Sequence, residues 1–317
     1  TDTGGNFSDF ITKIAAQTIS GTYTGTIANG ETLKVSLDNG TTWVAATTAT
    51  GGNWTLTGAT ITSNTIKAAV FNTAGNSSTT ASQVVVLDTS APTNQDTVLA
   101  ATAYKNVSGA AVTIVSSGDT TNDVWLAPAG TTTFTAGTTM TKASSGTATT
   151  IASPTTEGTY KLFVLDAAGN ISTASTASVI VDTTAPTLSS STPSDNTTGV
   201  VLDSNIVLNF NEPVSAGTGN IVITNAVDST DNRTISVTDN QVTVSGNTVT
   251  INPTNDLRLG GIAYNVTFAS GVIKDLAGNP YAGISNSTTL NFSTLSPTNT
   301  ETLNNDIINA NQGSVSG

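Results

Sequence analysis

The chain repeats part of its own sequence at a spacing of 94 residues. Residues 70–93 read VFNTAGNSSTTASQVVVLDTSAPT, and residues 164–187 read VLDAAGNISTASTASVIVDTTAPT. A third, partial copy at 274–283 reads KDLAGNPYAG. A unit of roughly 90 to 110 residues has the size of a β-sandwich domain and is longer than the repeats of most solenoids. The repeat therefore predicts several tandem domains rather than one large fold.

Local patterns within each repeat are those of short strands. Thr supplies 65 of the 317 residues, and its β-branched side chain favours strands. Alternating runs end in turn signals such as Asp38-Asn39-Gly40, whose Asn-Gly pair is a strong hairpin signal. Helical periodicity is sustained nowhere. The sequence thus predicts an all-β protein made of tandem β-sandwiches.

Three domains are predicted from the positions of the repeats, at 1–89, 90–183 and 184–295. They join where the D-T-[ST]-A-P-T segments end the last strand of a domain, because proline cannot continue a sheet ladder and favours an extended residue before it. The remaining segment, 296–317, is rich in Asn and Ser. We expect it to be a linker or tail, or the first strand of a further domain.

The balance of charges excludes several classes of function. Nine Lys and Arg residues face 21 Asp and Glu residues, a net charge of -12. Phosphate backbones and anionic lipids repel such a chain, so we expect no nucleic-acid partner and no membrane insertion. The chain has no His and no Cys, which removes the common nucleophiles and zinc ligands. This inventory argues against an enzyme and favours divalent cations as partners of the surplus carboxylates.

Residues 1–294 resemble known bacterial domain families. The first domain, with TDTGGNFSDFIT, ISGTYTGTIANGETLKVSLDNGTTW and DTSAPT, is similar to the Ig-like repeats of giant biofilm-associated and RTX-type surface adhesins. The second shares the DAAGN and DTTAPT segments. The third, with NFNEPV, NTVTINPTNDL and YNVTFASGVIKDLAGNPYAG, resembles the Ig-like domain family named for a bacterial S-layer protein. The resemblance implies three tandem Ig-like β-sandwich domains in an extended rod, a stalk at a bacterial cell surface that is often calcium-loaded.

The geometry of an Ig-like sandwich predicts which acidic residues meet. Its first strand starts at the pole that carries the second-to-third and sixth-to-seventh strand loops, and its last strand ends at the opposite pole. Asp166, in the DAAGN loop, should therefore face Asp88 in the preceding linker. The second-to-third strand loop, SSGDTTND, should bring Asp119 or Asp123 to the same place. We expect a metal site at this first junction.

The same geometry predicts a second junction, where Asp275 faces Asp182 and Glu212 comes from the corresponding loop. Carboxylates that meet without lysines repel one another, and Ca²⁺ takes six to eight oxygen ligands from loops of this kind. Calcium is therefore the predicted cofactor at both junctions. The competing interpretation is that these residues only form turns, as Asp and Asn commonly do.

A third group of polar residues is predicted at the pole of the first domain. There, we expect Asp2 and Asp9 to gather with Asn72, and Asp38 to lie nearby. Asn72 replaces the acidic residue of the other repeats, which weakens this site as a calcium ligand set.

Three functions remain open from the sequence. The first is a structural stalk of a secreted or cell-surface adhesin, whose partners are calcium ions and neighbouring domains of a longer protein. The second is a self-assembling S-layer or extracellular fibre subunit, which binds copies of itself by adding an edge strand or tail to a neighbour's sheet. The third, an enzyme or sugar-binding accessory domain, lacks any pair of acids placed in a pocket.

The predicted rod has a measurable size. Strands of about eight residues at about 3.3 Å per residue make domains about 40 Å long once the loops are added, so three in line approach about 120 Å. A compact globule of this length has a radius of gyration of about 20 Å, whereas the rod has one of about 35 Å. Small-angle scattering in millimolar calcium should give the larger value. A measurement of about 20 Å would contradict the tandem rod.

Overall fold

The computed structural model describes residues 2–297 and consists almost entirely of strands. Its helical segments within that range are a single turn, α1 (Gln95–Val98), and a 3₁₀ turn at Ser229–Asp231. No described helix has the length and apolar character that a membrane crossing requires. The all-β prediction is therefore confirmed.

The chain divides between Thr183 and Thr184 into two compact units. The first unit holds two successive sandwiches, called here the first and second sandwich, and the second unit holds one. The boundaries predicted at 1–89, 90–183 and 184–295 stay a prediction. Most of the predicted tail lies outside the described residues, which end at 297.

The first sandwich has eight strands in two sheets. They are β1 (Ile11–Thr12), β2 (Ala16–Thr22), β3 (Thr32–Ser36), β4 (Val44–Ala45), β5 (Thr47–Ala49), β6 (Asn53–Thr60), β7 (Asn64–Phe71) and β8 (Ala81–Leu87). One sheet has the order β1-β8-β7-β3-β4, and the other has the order β2-β6-β5. β1 runs parallel to β8, and the other pairs are antiparallel. Buried side chains of both sheets, among them Leu33, Val35 and Trp54, form the core.

The second sandwich repeats this plan with shorter strands. They are β9 (Ala103–Lys105), β10 (Ala111–Thr113), β11 (Asp123–Ala127), β12 (Thr141–Lys142), β13 (Thr150–Ala152), β14 (Gly158–Leu165) and β15 (Val179–Val181). The sheets have the orders β12-β11-β14-β15-β9 and β10-β13. As in the first sandwich, the first strand, β9, runs parallel to the last, β15.

Over its described residues, 184–297, the second unit has eleven strands and the largest of the three cores. They are β16 (Leu188–Thr192), β17 (Thr197–Val200), β18 (Ile206–Phe210), β19 (Val214–Ala216), β20 (Asn220–Asn225), β21 (Arg233–Ser236), β22 (Val242–Ser245), β23 (Thr248–Ile251), β24 (Ala263–Phe268), β25 (Ile273–Asp275) and β26 (Asn291–Thr294). The sheets have the orders β16-β18-β23-β22, β17-β26-β24-β20-β21 and β19-β25. β17 is parallel to β26.

Alternation along the strands explains most of the burial. In β18, Ile206, Leu208 and Phe210 are buried while the residues between them are partly exposed, as expected of a strand with one face on the core. β11 departs from this pattern, because four consecutive residues from Val124 to Ala127 are buried. Phe134, from the loop after β11, packs against Trp125 and so covers the outer face of the sheet.

Two tyrosines, one in β14 and one in β24, form hydrogen bonds between their hydroxyl groups and nearby backbone groups of the same sandwich. The Tyr160 hydroxyl donates to the Thr156 carbonyl at 2.7 Å, and the Tyr264 hydroxyl accepts from the Arg258 N–H at 3.0 Å. Both tyrosines lie near the start of the sixth strand of an Ig-like order, where such a tyrosine corner is expected.

Tyr264 also donates its hydroxyl proton to Asp231, which lies in a network of charges. Burial raises the pKa of Asp231, but hydrogen bonds from Tyr264 and Asn225 and the positive charges of Arg233 and Arg258 outweigh it and leave the pKa below its ordinary value of 3.8. A lowered folded-state pKa stabilises the fold above the ordinary value, and this stability is lost as the pH falls through the folded value.

Replacing Tyr264 by Phe should therefore destabilise the second unit at neutral pH by about 1–3 kcal/mol, because a buried hydrogen bond to a charged group is lost. The pKa of Asp231 should rise toward 3.8, so the variant should lose less of its remaining stability than the wild type below about pH 4. Scanning calorimetry across this range measures both effects. Tyr281→Phe, which keeps a ring packed on Phe210, is the control. Equal losses in acid for Tyr264→Phe and the wild type would contradict the assignment.

Candidate functional site

The repeated loops at 72–76, 166–170 and 275–279 have the same closed geometry. In each, the side-chain Oδ1 of the first residue accepts a hydrogen bond from the last residue's N–H, at 2.9, 2.8 and 2.8 Å in chain order. The first residue's N–H donates to the last residue's carbonyl at 3.0–3.2 Å. The fourth residue is a glycine with positive φ, 80° to 98°, a conformation that glycine adopts without strain. The sequence repeat thus encodes one loop structure three times.

The loop 166–170 of the second sandwich contacts the linker that precedes the sandwich. The Asn170 amide donates to Asp166 Oδ2 and to the Asp88 carbonyl, both at 2.9 Å. Asn170 is 9% exposed, so water competes poorly for these hydrogen bonds. The carboxylate of Asp88 accepts from the Ser90 N–H at 2.9 Å. The amide of Asn170 therefore connects the loop and the linker directly.

The two acids predicted from the neighbouring loop have local partners. Asp119 Oδ1 accepts from the Thr121 N–H and hydroxyl at 2.8 Å, and these hydrogen bonds lower the pKa of Asp119. Asp123 forms an ion pair with Lys142 at 2.8 Å. Within residues 2–297, these two acids do not join Asp88 and Asp166 in a group of three with oxygens within 4.8 Å of one another.

The N-terminal segment lies against this same loop of the second sandwich. The Thr3 hydroxyl donates to the Ala168 carbonyl at 2.7 Å, and Lys13 Nζ donates to the Gly169 carbonyl at 2.5 Å. Asp2 and Asp9 accept from backbone N–H groups at the start of β1, each at 3.0 Å. Both acids thus organise the segment around β1.

The expected gathering of these acids with Asn72 and Asp38 is wrong. Asn72 follows the last residue of β7, whereas the Asp38 turn lies at the start of β7, where the Asn39 N–H donates to the Thr65 carbonyl at 3.1 Å. Asn72 and Asp38 are therefore separated by the length of an eight-residue strand. β1 pairs with the end of β8, which lies beside the start of β7 and away from Asn72.

Two acids of the second unit come together in a partly buried place. Asp275 is 2% exposed and accepts from the Gly278 N–H, the Asn279 N–H and the Asn279 amide at 2.6–2.8 Å. The β19–β25 ladder pairs Val214 with Asp275 and so holds the loop containing Glu212 beside it. Carboxylate oxygens of Glu212 and Asp275 lie within 4.8 Å of each other. Two carboxylates this close favour a bound cation.

Asp182, the remaining predicted ligand, follows β15 directly. Its N–H donates to the Lys105 carbonyl at 2.9 Å, which continues the pairing of β9 and β15 by one residue. The next residue, Thr183, donates its N–H to Glu157 Oε1 at 2.8 Å and its hydroxyl to the same oxygen. The start of this linker is therefore fixed to the second sandwich.

Two asparagines that the sequence analysis did not single out are central to these loops. Asn170 and Asn279 each use a side-chain amide to hold the second oxygen of the loop carboxylate, at 2.9 and 2.7 Å. The signal was present in the sequence, because both occupy the last position of the repeated loop. A search for acidic metal ligands does not select these two asparagines.

Comparison with known proteins supports the Ig-like architecture. A family model described as a bacterial Ig-like domain matches residues 182–294, which confirms the Ig-like fold of that region. No curated protein sequence matches the chain.

Three solved structures align with most of the chain at low similarity. Drosophila OTK extracellular domains 3–5 is 12% identical, covering 91% of this chain and 93% of that chain, with a TM-score of 0.24. The SGBP-B protein of the Bacteroides ovatus mixed-linkage glucan utilization locus, in complex with a mixed-linkage heptasaccharide, is 14% identical, covering 90% and 65%, with a TM-score of 0.20. The BSP domain of a biofilm associated protein is 12% identical, covering 87% and 61%, with a TM-score of 0.21.

Replacing Asn170 by Ala should destabilise the first unit by about 1–3 kcal/mol, because the Asp88 carbonyl and the Asp166 carboxylate both lose a buried donor. The matched control is Asn76→Ala, which changes the same loop position where the side chain is exposed. Denaturant unfolding followed by tryptophan fluorescence reports on this unit, since Trp43, Trp54 and Trp125 all lie in it. Equal unfolding midpoints for the two variants would show that the Asn170 contacts contribute nothing.

Proposed function

We propose that this chain is a stalk segment of a secreted or cell-surface bacterial adhesin, rigidified at its linkers and, in part, by calcium. The observation that carries the proposal is the Asn170 amide, which fastens a linker to the loop of the sandwich that follows it. A linker held by a buried hydrogen bond transmits orientation from one domain to the next, as a stalk requires. A flexible tether would leave the linker free.

Short linkers and fixed ends support the same function. The Asp88 N–H donates to the Thr12 carbonyl at 2.9 Å and the Asp182 N–H to the Lys105 carbonyl at 2.9 Å. Each last strand therefore stays paired up to the first residue of the linker. The similarity of residues 182–294 to a bacterial Ig-like domain supports the proposal at the level of the fold. The proposed stalk function requires neither a binding site nor a catalytic site in this segment.

Calcium at the linkers is the finer part of the proposal. Its support in the second unit is the closeness of the Glu212 and Asp275 carboxylates, with Asp275 nearly inaccessible to solvent. The sequence repeat aligns Asp182 with Asp88 and so supplies a third carboxylate from the linker. Three carboxylates, with backbone carbonyls and water, make a hard oxygen ligand set suited to Ca²⁺. At the first junction, Asp88 and Asp166 are the proposed ligands.

Calorimetric titration tests the calcium sites. Extracellular modules bind calcium with dissociation constants of about 10⁻⁴–10⁻³ M, so about 10 mM calcium should stabilise the fold by roughly 1.4 kcal/mol per site at the weak end. Asp182→Ala, Glu212→Gln and Asp275→Asn should each weaken one site at least roughly tenfold, and Asp88→Ala should weaken another independently. Asp256→Asn, which removes an exposed charge, is the control. If all variants bind calcium as the wild type does, the linkers hold no calcium. The Asn170 hydrogen bonds are then the only support for a rigid stalk.

A further inference from the structure

Two Asn-Gly pairs, Asn29-Gly30 and Asn39-Gly40, lie in turns of the first sandwich, and the sequence contains no others. In such a pair the backbone nitrogen of the glycine can attack the side-chain amide carbon of the asparagine, which converts the amide to an acid. Glycine permits this attack because it has no side chain and adopts a wide range of backbone conformations. By sequence the two pairs are equally reactive, so a difference between them has to come from the fold.

The fold holds the reacting nitrogen of the second pair. The Gly40 N–H donates to the Ser36 hydroxyl at 2.7 Å, and Ser36 is fully buried. The nitrogen has to lose this proton before it can attack, and an acceptor that water cannot replace stabilises the N–H. The N–H of Asn39 itself donates to the Thr65 carbonyl at 3.1 Å. The backbone on both sides of the Asn39 side chain is therefore fixed.

The turn that contains the first pair leaves its reacting groups free. The flanking residues close this turn, since the Glu31 N–H donates to the Ala28 carbonyl at 3.0 Å and Glu31 Oε2 accepts from the Ala28 N–H at 2.9 Å. Among the residues that the structure describes, none accepts a hydrogen bond from the Gly30 N–H or bonds to the Asn29 side chain. Positions 28 to 32 are all exposed. Water therefore reaches the amide, and the turn can open locally without breaking core contacts.

The same turn lies beside the loop that follows β7. A Cβ added to Gly30 would lie 3.2 Å from Cγ2 of Thr73 in that loop. Glu31 and Asn72 line one cavity, with a volume of about 340 Å³. A new carboxylate in this turn would therefore add charge beside Glu31, at the end of the first sandwich that carries the loop.

We infer that Asn29 is a site of spontaneous deamidation in the folded chain, whereas Asn39 is protected. The Gly30 nitrogen forms a bond to the side-chain carbonyl carbon of Asn29, and the bond from that carbon to the amide nitrogen breaks. The amide nitrogen leaves as ammonia, with the proton that the Gly30 N–H has released through solvent, and a five-membered succinimide remains. One water molecule then opens the ring at either carbonyl.

The two products differ in their effect on the turn. Opening at the side-chain carbonyl gives aspartate at position 29, which keeps the length of the backbone. Opening at the backbone carbonyl gives isoaspartate, which adds a methylene to the backbone of the turn that Ala28 and Glu31 close. Both products add one negative charge to a chain whose net charge is already -12. The inference requires neither the stalk nor calcium and goes beyond the proposed function.

Peptide mapping of the full chain tests the inference, after incubation at mildly alkaline pH with and without denaturant. Trypsin cuts after lysine, so Asn29 and Asn39 fall in separate peptides, 14–34 and 35–67. Asn29 is the only asparagine of its peptide, and fragment spectra locate the change in the other peptide. Mass spectrometry then follows the conversion of each amide to an acid. A sample digested without incubation corrects for deamidation during the digest.

Asn29 should react at similar rates in the folded and the unfolded chain. Asn39 should react at least roughly tenfold more slowly in the folded chain than in denaturant, because its glycine N–H is hydrogen-bonded only in the fold. Equal rates for the two asparagines in the folded chain, or a rate for Asn29 that folding lowers as much as that of Asn39, would overturn the inference. These rates come from the wild type alone, so the outcome does not depend on whether a variant folds.

A variant pair identifies the protecting group. Ser36→Ala removes the acceptor of the Gly40 N–H and should raise the rate of Asn39 in the folded chain without changing that of Asn29. Thr41→Ala is the matched control, because it removes a hydroxyl of the same turn that donates to the Asp38 carbonyl instead. It should leave Asn39 protected. An equal rise in both variants would contradict the protection by Ser36.

Discussion

The parallel pairing of an early strand with the last strand of each sandwich is the constraint on which the rest of this chain depends. It occurs three times, between β1 and β8, β9 and β15, and β17 and β26. Parallel neighbours run in the same direction, so a chain that follows the full length of such a pair enters a sandwich at one end and leaves it at the other. Domains joined in this way can follow one another through short linkers. Antiparallel first and last strands would return the chain to its point of entry.

The loop between the sixth and seventh strands of the second sandwich completes this plan, because it contacts the linker through which the chain enters that sandwich. One side-chain oxygen closes each loop, and in the loops at 166–170 and 275–279 the second oxygen accepts from the side-chain amide of the last residue. In the second sandwich, the amide of Asn170 uses this arrangement to bind the Asp88 carbonyl. In the first, Asn72 has a single side-chain oxygen, already occupied by the N–H groups of Ala74 and Asn76. A carboxylate at this position thus both builds the loop and orients the side-chain amide of the last residue.

Sequence reasoning succeeded where the determinant is local. The Asn39-Gly40 pair predicted a hairpin, and both residues have the positive φ that the turn requires, 58° and 97°. It failed where the determinant is distant. The ion pair of Asp123 with Lys142 and the covering of Trp125 by Phe134 depend on how a long loop folds back over β11. Asp38 and Asn72 were assigned to one pole because the spacing of turns does not reveal which end of a strand each turn occupies.

The length of the parallel ladders has a consequence for mechanical load. A force applied through the linkers of such a chain pulls the first and last strands of a sandwich in opposite directions, which shears their ladder and loads all its hydrogen bonds together. The parallel ladder has two residue pairs in the first sandwich and three in the second, and in the second unit an irregularity interrupts it between Thr197 and Val200. Within the first unit, the first sandwich has the shorter ladder, so it should yield to tension before the second sandwich, and its rupture should release chain length while the second sandwich keeps its fold.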